Sequence, residues 1–254
     1  MKKTTMIRYL NSVMKNTSLT EKEKFIRTRN ELPSYLDDVM IGLILSDGSL
    51  QRTSSTSGVR LAISFGKKHE DYLYFIYNLF KAYVNTEPTS IKVYNNKTKS
   101  YNDVLKFKTI SLPQLIHYYD LFYVNGKKIV PKNINDLISP IALAHLIMGD
   151  GNLKQPDKIL RVYTNSFIKE DVELLALSIT NKLNIITKVV HDRNNQYIIT
   201  ISKNQLLSVQ NLIKDHMHPS MFYKLDMEKS MKFDFDYEQL NIFKNTAVYY
   251  GDIL

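Results

Sequence analysis

Two aspartates in this chain occupy matching positions at the ends of two apolar segments. Asp47 closes the segment 40–47 and Asp150 closes the segment 143–150, and a glycine follows each of them. One Asp-Gly helix end is ordinary turn chemistry, but two copies with matched flanks are not. One acid in each copy of a duplicated unit predicts a pseudo-twofold enzyme that acts twice on a roughly symmetric substrate.

Each aspartate is predicted to lie at the C-terminal end of a buried helix. Met40, Leu43 and Asp47 share one face of a 3.6-residue period, and Ser139-Pro140 is a typical helix start. We expect the glycine after each acid to end its helix in the left-handed conformation. Because the helix dipole repels negative charge at this end, a divalent cation between the two tips would remove the conflict.

The rest of the chain repeats the same order of elements. Each half is predicted to be helix-strand-strand-helix-strand-strand-helix, or αββαββα. Strands that come in pairs between helices favour an α+β fold with antiparallel sheets. The predicted divisions are a basic N-terminal extension (1–31), a first half (32–123), a linker with an Asn125-Gly126 tight turn (124–138), a second half (139–225) and an acidic C-terminal tail (226–254).

Composition narrows the function classes. The 254 residues leave room for two domains, and the net charge of +9 favours an anionic partner. The chain has no cysteine, which excludes disulfides and thiolate metal sites. Its apolar runs are too short for a membrane span. The basic first 20 residues are compatible with a transit peptide or with an exposed basic arm.

The basic residues are concentrated in the predicted strands. There, Lys and Arg far outnumber Asp and Glu and alternate with apolar residues. A sheet with one apolar and one basic face suits a nucleic-acid groove, although a solvated outer face is the alternative. The residues that we expect to contact DNA are Arg52, Arg60, Lys68, Lys92, Lys106, Lys108, Lys154, Arg161, Asn165, Lys188, Arg193 and Lys203.

Taken together, these features resemble the LAGLIDADG homing endonucleases, in particular the single-chain, two-motif branch carried by introns of fungal mitochondria. The resemblance covers roughly residues 32–225. The segment 124–131 is similar to the family's turn before the second motif, which presents an active-site lysine, and the segment 220–225 is similar to its counterpart. Leu45 and Met148 depart from the usual motif wording, but each final acid is present.

The resemblance implies a saddle that straddles duplex DNA, with the two motif helices side by side at the centre. It implies that Asp47 and Asp150, helped by the backbone carbonyls of Ser46 and Gly149, hold two or three Mg²⁺ ions, with Mn²⁺ or Ca²⁺ able to substitute for binding. Lys128 and Lys224 would stabilise the transition state, one on each strand. A monomer in the mitochondrion would then make a double-strand break with short 3′ overhangs.

Two other functions stay open at this point. The same fold serves as an intron maturase that binds its own intron RNA and assists splicing. It also serves as a DNA-binding regulator that has lost the chemistry. The presence of both acids and both lysines favours the endonuclease, because a protein that only binds does not need them.

Overall fold

The computed structural model describes residues 31–228 except Ser55 and Lys97. The predicted N-terminal extension (1–31) and acidic tail (226–254) therefore lie almost entirely outside the described residues. None of the helices in the described part combines the length and apolarity that crossing a bilayer requires.

The predicted αββαββα order is confirmed in both halves. The first half contains α1 (Ser34–Leu45), β1 (Ser49–Arg52), β2 (Val59–Gly66), α2 (Glu70–Leu79), β3 (Thr89–Asn95), β4 (Ser100–Lys108) and α3 (Ile116–Phe122). The second half contains α5 (Pro140–Asp150), β7 (Gly151–Lys154), β8 (Ile159–Val162), α6 (Lys169–Leu183), β9 (Thr187–His191), β10 (Tyr197–Ile201) and α7 (Lys203–Ile213). Short 3₁₀ segments cover Lys67–His69, Lys81–Tyr83, Pro113–Leu115, Lys214–His216 and Pro219–Leu225.

The predicted linker between the halves has its own structure. It contains the two-stranded hairpin of β5 (Tyr123–Val124) and β6 (Lys127–Lys128), followed by the short helix α4 (Ile134–Leu137). Asn125 and Gly126 form the hairpin turn with φ of 50° and 75°. Two successive positive φ values match the twist of an antiparallel pair, which explains the Asn-Gly sequence.

The two halves contain equivalent antiparallel sheets. Their strand orders are β1-β2-β4-β3 and β7-β8-β10-β9, so each half repeats the same topology. In β2, the side chains of Leu61, Ile63 and Phe65 are buried, while the residues between them are partly or fully exposed. Since successive side chains of a strand point to opposite faces, each sheet covers the core with one face and leaves the other to solvent.

The motif helices α1 and α5 pack directly against each other at the centre. All of the residues 39–45 of α1 are buried, as expected for a helix that is apolar on every side. A Cβ atom on Gly42 would clash with the carbonyl oxygen of Ala142 and lie 2.6 Å from the Cβ of His145. On the same interface, a Cβ on Gly149 would lie 2.6 Å from the Oγ of Ser46. The helices therefore meet where one of them has no side chain.

The expected left-handed glycines at the ends of the motif helices are wrong. Gly151 has φ −76° and ψ 146°, and Gly48 has no positive φ either. Glycine is required there for space instead. A Cβ on Gly48 would lie 2.7 Å from the carbonyl oxygen of Leu43, and one on Gly151 would lie 2.5 Å from that of Ile147.

The close contact at Gly42 predicts a large effect of a single methyl group. We expect Gly42→Ala to lower the free energy of unfolding by about 1–3 kcal/mol, because the helix backbones must separate. The gain in helix propensity, up to about 1 kcal/mol, opposes this loss. Urea unfolding followed by circular dichroism measures the change.

Gly66→Ala is the matched control, because a Cβ at Gly66 has no heavy atom within 4 Å. We expect its effect to stay within about 0.5 kcal/mol. Equal stability of the two variants would contradict the close packing of the motif helices.

Candidate functional site

The crossing of the motif helices brings the two acids to one place. Asp47 lies two residues beyond the end of α1, and Asp150 is the last residue of α5. A Cβ on Gly149 would lie 3.1 Å from the Oδ2 atom of Asp47, so the missing side chain at 149 lets that carboxylate reach the tip of the other helix. Asp47 is exposed and Asp150 is half-buried, so solvent reaches both residues, although the packed helix ends remove part of the water around each carboxylate.

Neither carboxylate has a hydrogen-bond or ion-pair partner among the residues that the structure describes. Loss of hydration raises the pKa of Asp150 to about 7, and the nearby charge of Asp47 adds to this effect. Loss of hydration also raises the pKa of Asp47. Both acids face the negative ends of helix dipoles, which disfavours their ionised forms further. The site therefore contains two carboxylates that lack a compensating positive partner in direct contact.

One lysine approaches the end of each motif helix. The Nζ atom of Lys128, in β6, donates hydrogen bonds to the carbonyl oxygens of Ser46 at 3.0 Å and Gly48 at 2.8 Å. The Nζ atom of Lys224, in the 3₁₀ segment Pro219–Leu225, donates to those of Met148 and Gly149, both at 2.6 Å. The carbonyls of Met148 and Gly149 lie in the last turn of α5, and those of Ser46 and Gly48 follow the end of α1. Each lysine therefore satisfies carbonyls at a helix end and opposes the dipole there.

Burial of the two ammonium groups lowers their pKa values. The pKa of Lys224 falls to about 8, and that of Lys128 is also lowered. The charges of Asp47 and Asp150 act in the opposite direction on both lysines. A pKa of about 8 leaves the ammonium group of Lys224 mostly charged at neutral pH.

The donor atoms of this site fit a hard divalent cation. Two unpaired carboxylates are oxygen ligands, and the carbonyl oxygens of Ser46 and Gly149 keep a second lone pair beside the lysine hydrogen bond. The described residues contain no cluster of three or more His, Asp or Glu side chains suited to a metal ion. A bound ion would therefore need water or substrate oxygens as further ligands, which is typical of Mg²⁺.

A buried aromatic cluster lies beneath the acids. The Nδ1 atom of His145, in α5, lies 3.0 Å from the hydroxyl oxygen of Tyr72, and its ring stacks on Phe75. Burial lowers the pKa of His145 to about 3, so the imidazole is neutral at physiological pH. Its Nε2 atom has no partner among the described residues. His145 is therefore part of the packing between the halves rather than an acid or base.

Most of the residues that we expect to contact DNA and that lie in strands are on the solvent-facing side of their sheet. In the first sheet, Gln51 pairs with Arg60, Ala62 with Lys108 and Ser64 with Lys106, all opposite the buried face. In the second sheet, Arg161 pairs with Asn152 and with Thr200, and Thr200 pairs with Lys188. Lys154 lies on the same face as Asn152, two residues further along β7. We call these two surfaces the basic faces. The basic faces carry Gln51, Arg60, Lys106, Lys108, Asn152, Lys154, Arg161, Lys188 and Thr200.

Arg52 and Lys92, which we also expect to contact DNA, do not lie on a basic face. Arg52 pairs with buried Val59, so it lies on the core side, where it contacts the Asp120 carboxylate at 3.4 Å and the Tyr119 ring. Lys92 pairs with Asp103 and has the parity of the core side. A shift of one residue in strand register moves a side chain to the other face, and sequence alternation alone did not fix that register.

The side chain of Asn165 makes hydrogen bonds within the protein. Its Nδ2 atom donates to Asp192 and to Gln196, both at 3.1 Å, and so holds the β9–β10 hairpin. Lys68, Arg193 and Lys203 lie outside the strands, in the 3₁₀ segment after β2, in the β9–β10 turn and at the start of α7. Of these, Lys68 is near enough to Lys224 to lower its pKa. Gln51, Asn152 and Thr200 were missed, because only the pairing register shows that they lie on the basic faces.

The raised pKa of Asp150 predicts a pH-dependent gain in stability for Asp150→Asn. An aspartate in an unfolded chain has a pKa of about 3.9. Between that value and about 7, the folded protein holds a proton that the unfolded chain releases, so wild-type stability falls as pH rises. At pH 8 we expect Asp150→Asn to be more stable than wild type by about 1–2 kcal/mol, with the advantage vanishing below about pH 4. Urea unfolding across this range measures it.

The control is Asp136→Asn, which changes an exposed acid in the first turn of α4. We expect no stabilisation from it at any pH. Millimolar Mg²⁺ at pH 8 should stabilise the wild type more than Asp150→Asn, because ion binding to the folded state adds to its stability. A flat pH dependence of the wild-type–variant difference would contradict the raised pKa.

Comparison with known proteins agrees with this architecture. Residues 37–208 match the model of the LAGLIDADG DNA endonuclease family. Cytochrome b mRNA maturase bI2 of Debaryomyces hansenii is 30% identical over 207 residues, covering 79% of this chain and 77% of that protein. Probable intron-encoded endonuclease 1 of Wickerhamomyces canadensis is 28% identical over 204 residues, covering 76% of this chain and 85% of that protein.

The fold is also similar to that of a solved structure. The structure of the homing endonuclease I-WcaI bound to its DNA recognition sequence has a TM-score of 0.75 and 22% identity. The match covers 89% of this chain and 99% of that one. Because the family model spans well over half of the residues and both motif helices carry their final acid, this chain belongs to the LAGLIDADG DNA endonuclease family.

Proposed function

We propose that the protein is a site-specific homing endonuclease that makes a Mg²⁺-dependent double-strand break with short 3′ overhangs in a long DNA target. Such a break promotes the mobility of the intron that encodes the enzyme. The observation that carries the proposal is the pair of unpartnered carboxylates at the crossing of the motif helices, each with a lysine at its helix end. A protein that only binds nucleic acid has no use for this costly arrangement.

The acids would hold the ions that the reaction needs. A phosphodiester is anionic and repels hydroxide, so cleavage requires neutralisation of the phosphate and a lowered pKa of the attacking water. Divalent ions supply both effects when they are bound. Asp47 and Asp150, with the carbonyls of Ser46 and Gly149, would hold two or three Mg²⁺ ions, and Mn²⁺ or Ca²⁺ would substitute for binding.

The lysines would stabilise the charge that develops at each scissile phosphate. Hydrogen bonds to helix-end carbonyls fix the ammonium groups of Lys128 and Lys224 before DNA arrives. A donor that is already in place at the developing charge needs no reorganisation during the reaction. With one acid and one lysine in each half, each half would cut one strand.

The basic faces would bind the DNA backbone and read bases. Strands that carry Arg, Lys, Asn and Gln fit the major groove, where these side chains contact phosphates and base edges. The relative I-WcaI, whose fold this chain shares, was solved bound to its DNA recognition sequence. One chain supplies both halves of the site, so we propose a monomer. The relationship to a cytochrome b mRNA maturase supports a mitochondrial location.

Cleavage of a randomised duplex library tests the function. With Mg²⁺, we expect wild-type protein to cut one long site and leave short 3′ overhangs, and with EDTA we expect no cutting. Asp47→Asn and Asp150→Asn should abolish double-strand cleavage while binding persists, because they remove ion ligands. Lys128→Ala and Lys224→Ala should slow the cut by about 100-fold. Sequencing of the cut ends gives the target, and full cleavage by either Asn variant would contradict the assignment of the acids.

The two arginines on neighbouring strands allow a matched test of the DNA surface. Arg60 lies on the basic face of β2, and Arg52 lies on the core side of β1. We expect Arg60→Ala to weaken binding to the target and to reduce the salt dependence of log K by about one phosphate contact. Arg52→Ala should leave both unchanged. Fluorescence anisotropy at several salt concentrations measures them, and a larger loss for Arg52→Ala would refute this assignment of faces.

The maturase is the second candidate, because a bI2 maturase is 30% identical over most of both chains. In that case the protein would bind the RNA of its own intron. Tight binding and faster splicing of that intron, together with intact DNA cleavage, would show both functions. RNA binding and splicing with no cleavage of any duplex would replace the endonuclease by the maturase. Salt-sensitive DNA binding with neither activity would indicate a regulator.

A further inference from the structure

An acidic residue of the second half holds the backbone next to a lysine of the first half. Asp171 lies in the first turn of α6. Its Oδ2 atom accepts a hydrogen bond from the backbone N–H of Val130 at 3.1 Å. Val130 is buried and lies two residues after Lys128. An acid in the first turn of a helix is ordinary, but this one also contacts a backbone amide 41 residues away.

This hydrogen bond lies at the base of the hairpin that presents Lys128. The backbone N–H of Ile129 donates to the carbonyl of Phe122 at 2.8 Å, which ties the hairpin to the first half. The next amide, that of Val130, ties it to the second half through Asp171. From this base the Lys128 side chain extends to the carbonyls of Ser46 and Gly48. A displacement of the base would therefore move the ammonium group away from the first acid.

The other lysine is held by different contacts. Lys224 is buried within a 3₁₀ segment whose start is capped by the side chain of His218, which accepts from the N–H of Ser220. Lys128, in contrast, is half-buried and follows an exposed turn. The two lysines therefore share one chemical role but differ in support. A change at Asp171 should therefore displace Lys128 and leave Lys224 in place.

We propose that Asp171 is a positioning residue for Lys128: through the amide of Val130 it holds this lysine in place for cleavage of one DNA strand. The inference deepens the proposed endonuclease function and rests on it. Asp171 acts through Lys128 and not on the substrate itself. Its effect is confined to the strand that depends on Lys128.

The test measures the two strands separately. A duplex target, labelled on one strand or the other, is cleaved by Asp171→Ala in single-turnover conditions. We expect the strand that is slowed in Lys128→Ala to be cut about 10- to 100-fold more slowly, since small misplacements of a reacting group have effects of this size. The strand that is slowed in Lys224→Ala should keep its rate within about twofold, so nicked plasmid should accumulate.

Three further variants separate positioning from general damage. Asp171→Asn keeps an acceptor oxygen and should restore cutting of the affected strand. Asp171→Ser keeps a polar group in the first turn of α6 but is too short to reach Val130, so it should behave like Asp171→Ala even where the alanine variant folds poorly. Glu173→Ala, on the same helix and paired with exposed Lys169, should cut both strands normally. Equal slowing of both strands by Asp171→Ser would overturn the proposal.

Combination with Lys128→Ala gives a second criterion. If Asp171 acts through Lys128, adding Asp171→Ser to Lys128→Ala should slow the cut no further, whereas independent effects would multiply. Hydrogen exchange of residues 123–131 gives a readout without activity: the Val130 amide should exchange faster in Asp171→Ser than in wild type. Unchanged exchange would refute the anchor. If the wild type cut neither strand while the Val130 amide still exchanged faster in Asp171→Ser than in wild type, that result would count against the endonuclease function and not against the anchor.

Discussion

The structure depends on a contact between two helices that is so close that one of them must lack a side chain at each point of contact. Gly42 meets the backbone of Ala142, and Gly149 meets the side chain of Ser46. Because α1 and α5 approach so closely, their C-terminal ends lie side by side. Both aspartates, both sets of helix-end carbonyls and both lysines are then forced into one small region. A wider helix pair would hold the same residues further apart.

The same contact creates an electrostatic cost. Two carboxylates without partners lie where two helix dipoles are negative, and the pKa of Asp150 rises to about 7 in response. The charges of Lys128 and Lys224 act to lower both aspartate pKa values and so reduce this cost, although their hydrogen bonds go to carbonyls rather than to the carboxylates. The site is thus less stable than a neutral alternative would be. The proposed binding of divalent ions would offset this cost, because carboxylate and carbonyl oxygens are the ligands that such ions prefer.

Features carried by short-range patterns could be predicted from the sequence, whereas features that depend on register or distant partners could not. Asp47, Asp150 and the repeated order of elements follow from periodicity, and the tight turn follows from Asn125-Gly126. The sheet faces on which Arg52 and Lys92 lie could not be predicted, because an alternating strand can present either parity and the pairing decides which. Asn165 and Asp171 depend on partners far along the chain. Their contacts with Asp192 and Val130 leave no trace in local composition.

The pseudo-twofold symmetry is kept in the chemistry and broken in the packing. His145 occupies the position in α5 that Gly42 occupies in α1, and the Cβ of His145 is one of the atoms that a side chain at 42 would meet. A large residue on one helix therefore requires none on the other. The imidazole turns toward Tyr72 and Phe75, and burial keeps it neutral. The two helices pack closely because a residue without a side chain on one faces a larger residue on the other.

The supports of the two lysines differ in the same way. A buried 3₁₀ segment carries Lys224, and a hairpin tied to the opposite half carries Lys128. Each ammonium group nevertheless binds the carbonyl of the residue before its acid, Ser46 or Gly149. Two different backbone segments thus place an ammonium group at the same position relative to an aspartate. This indicates that the fold constrains the position of the charge relative to the acid. The backbone that delivers the charge is free to differ between the halves.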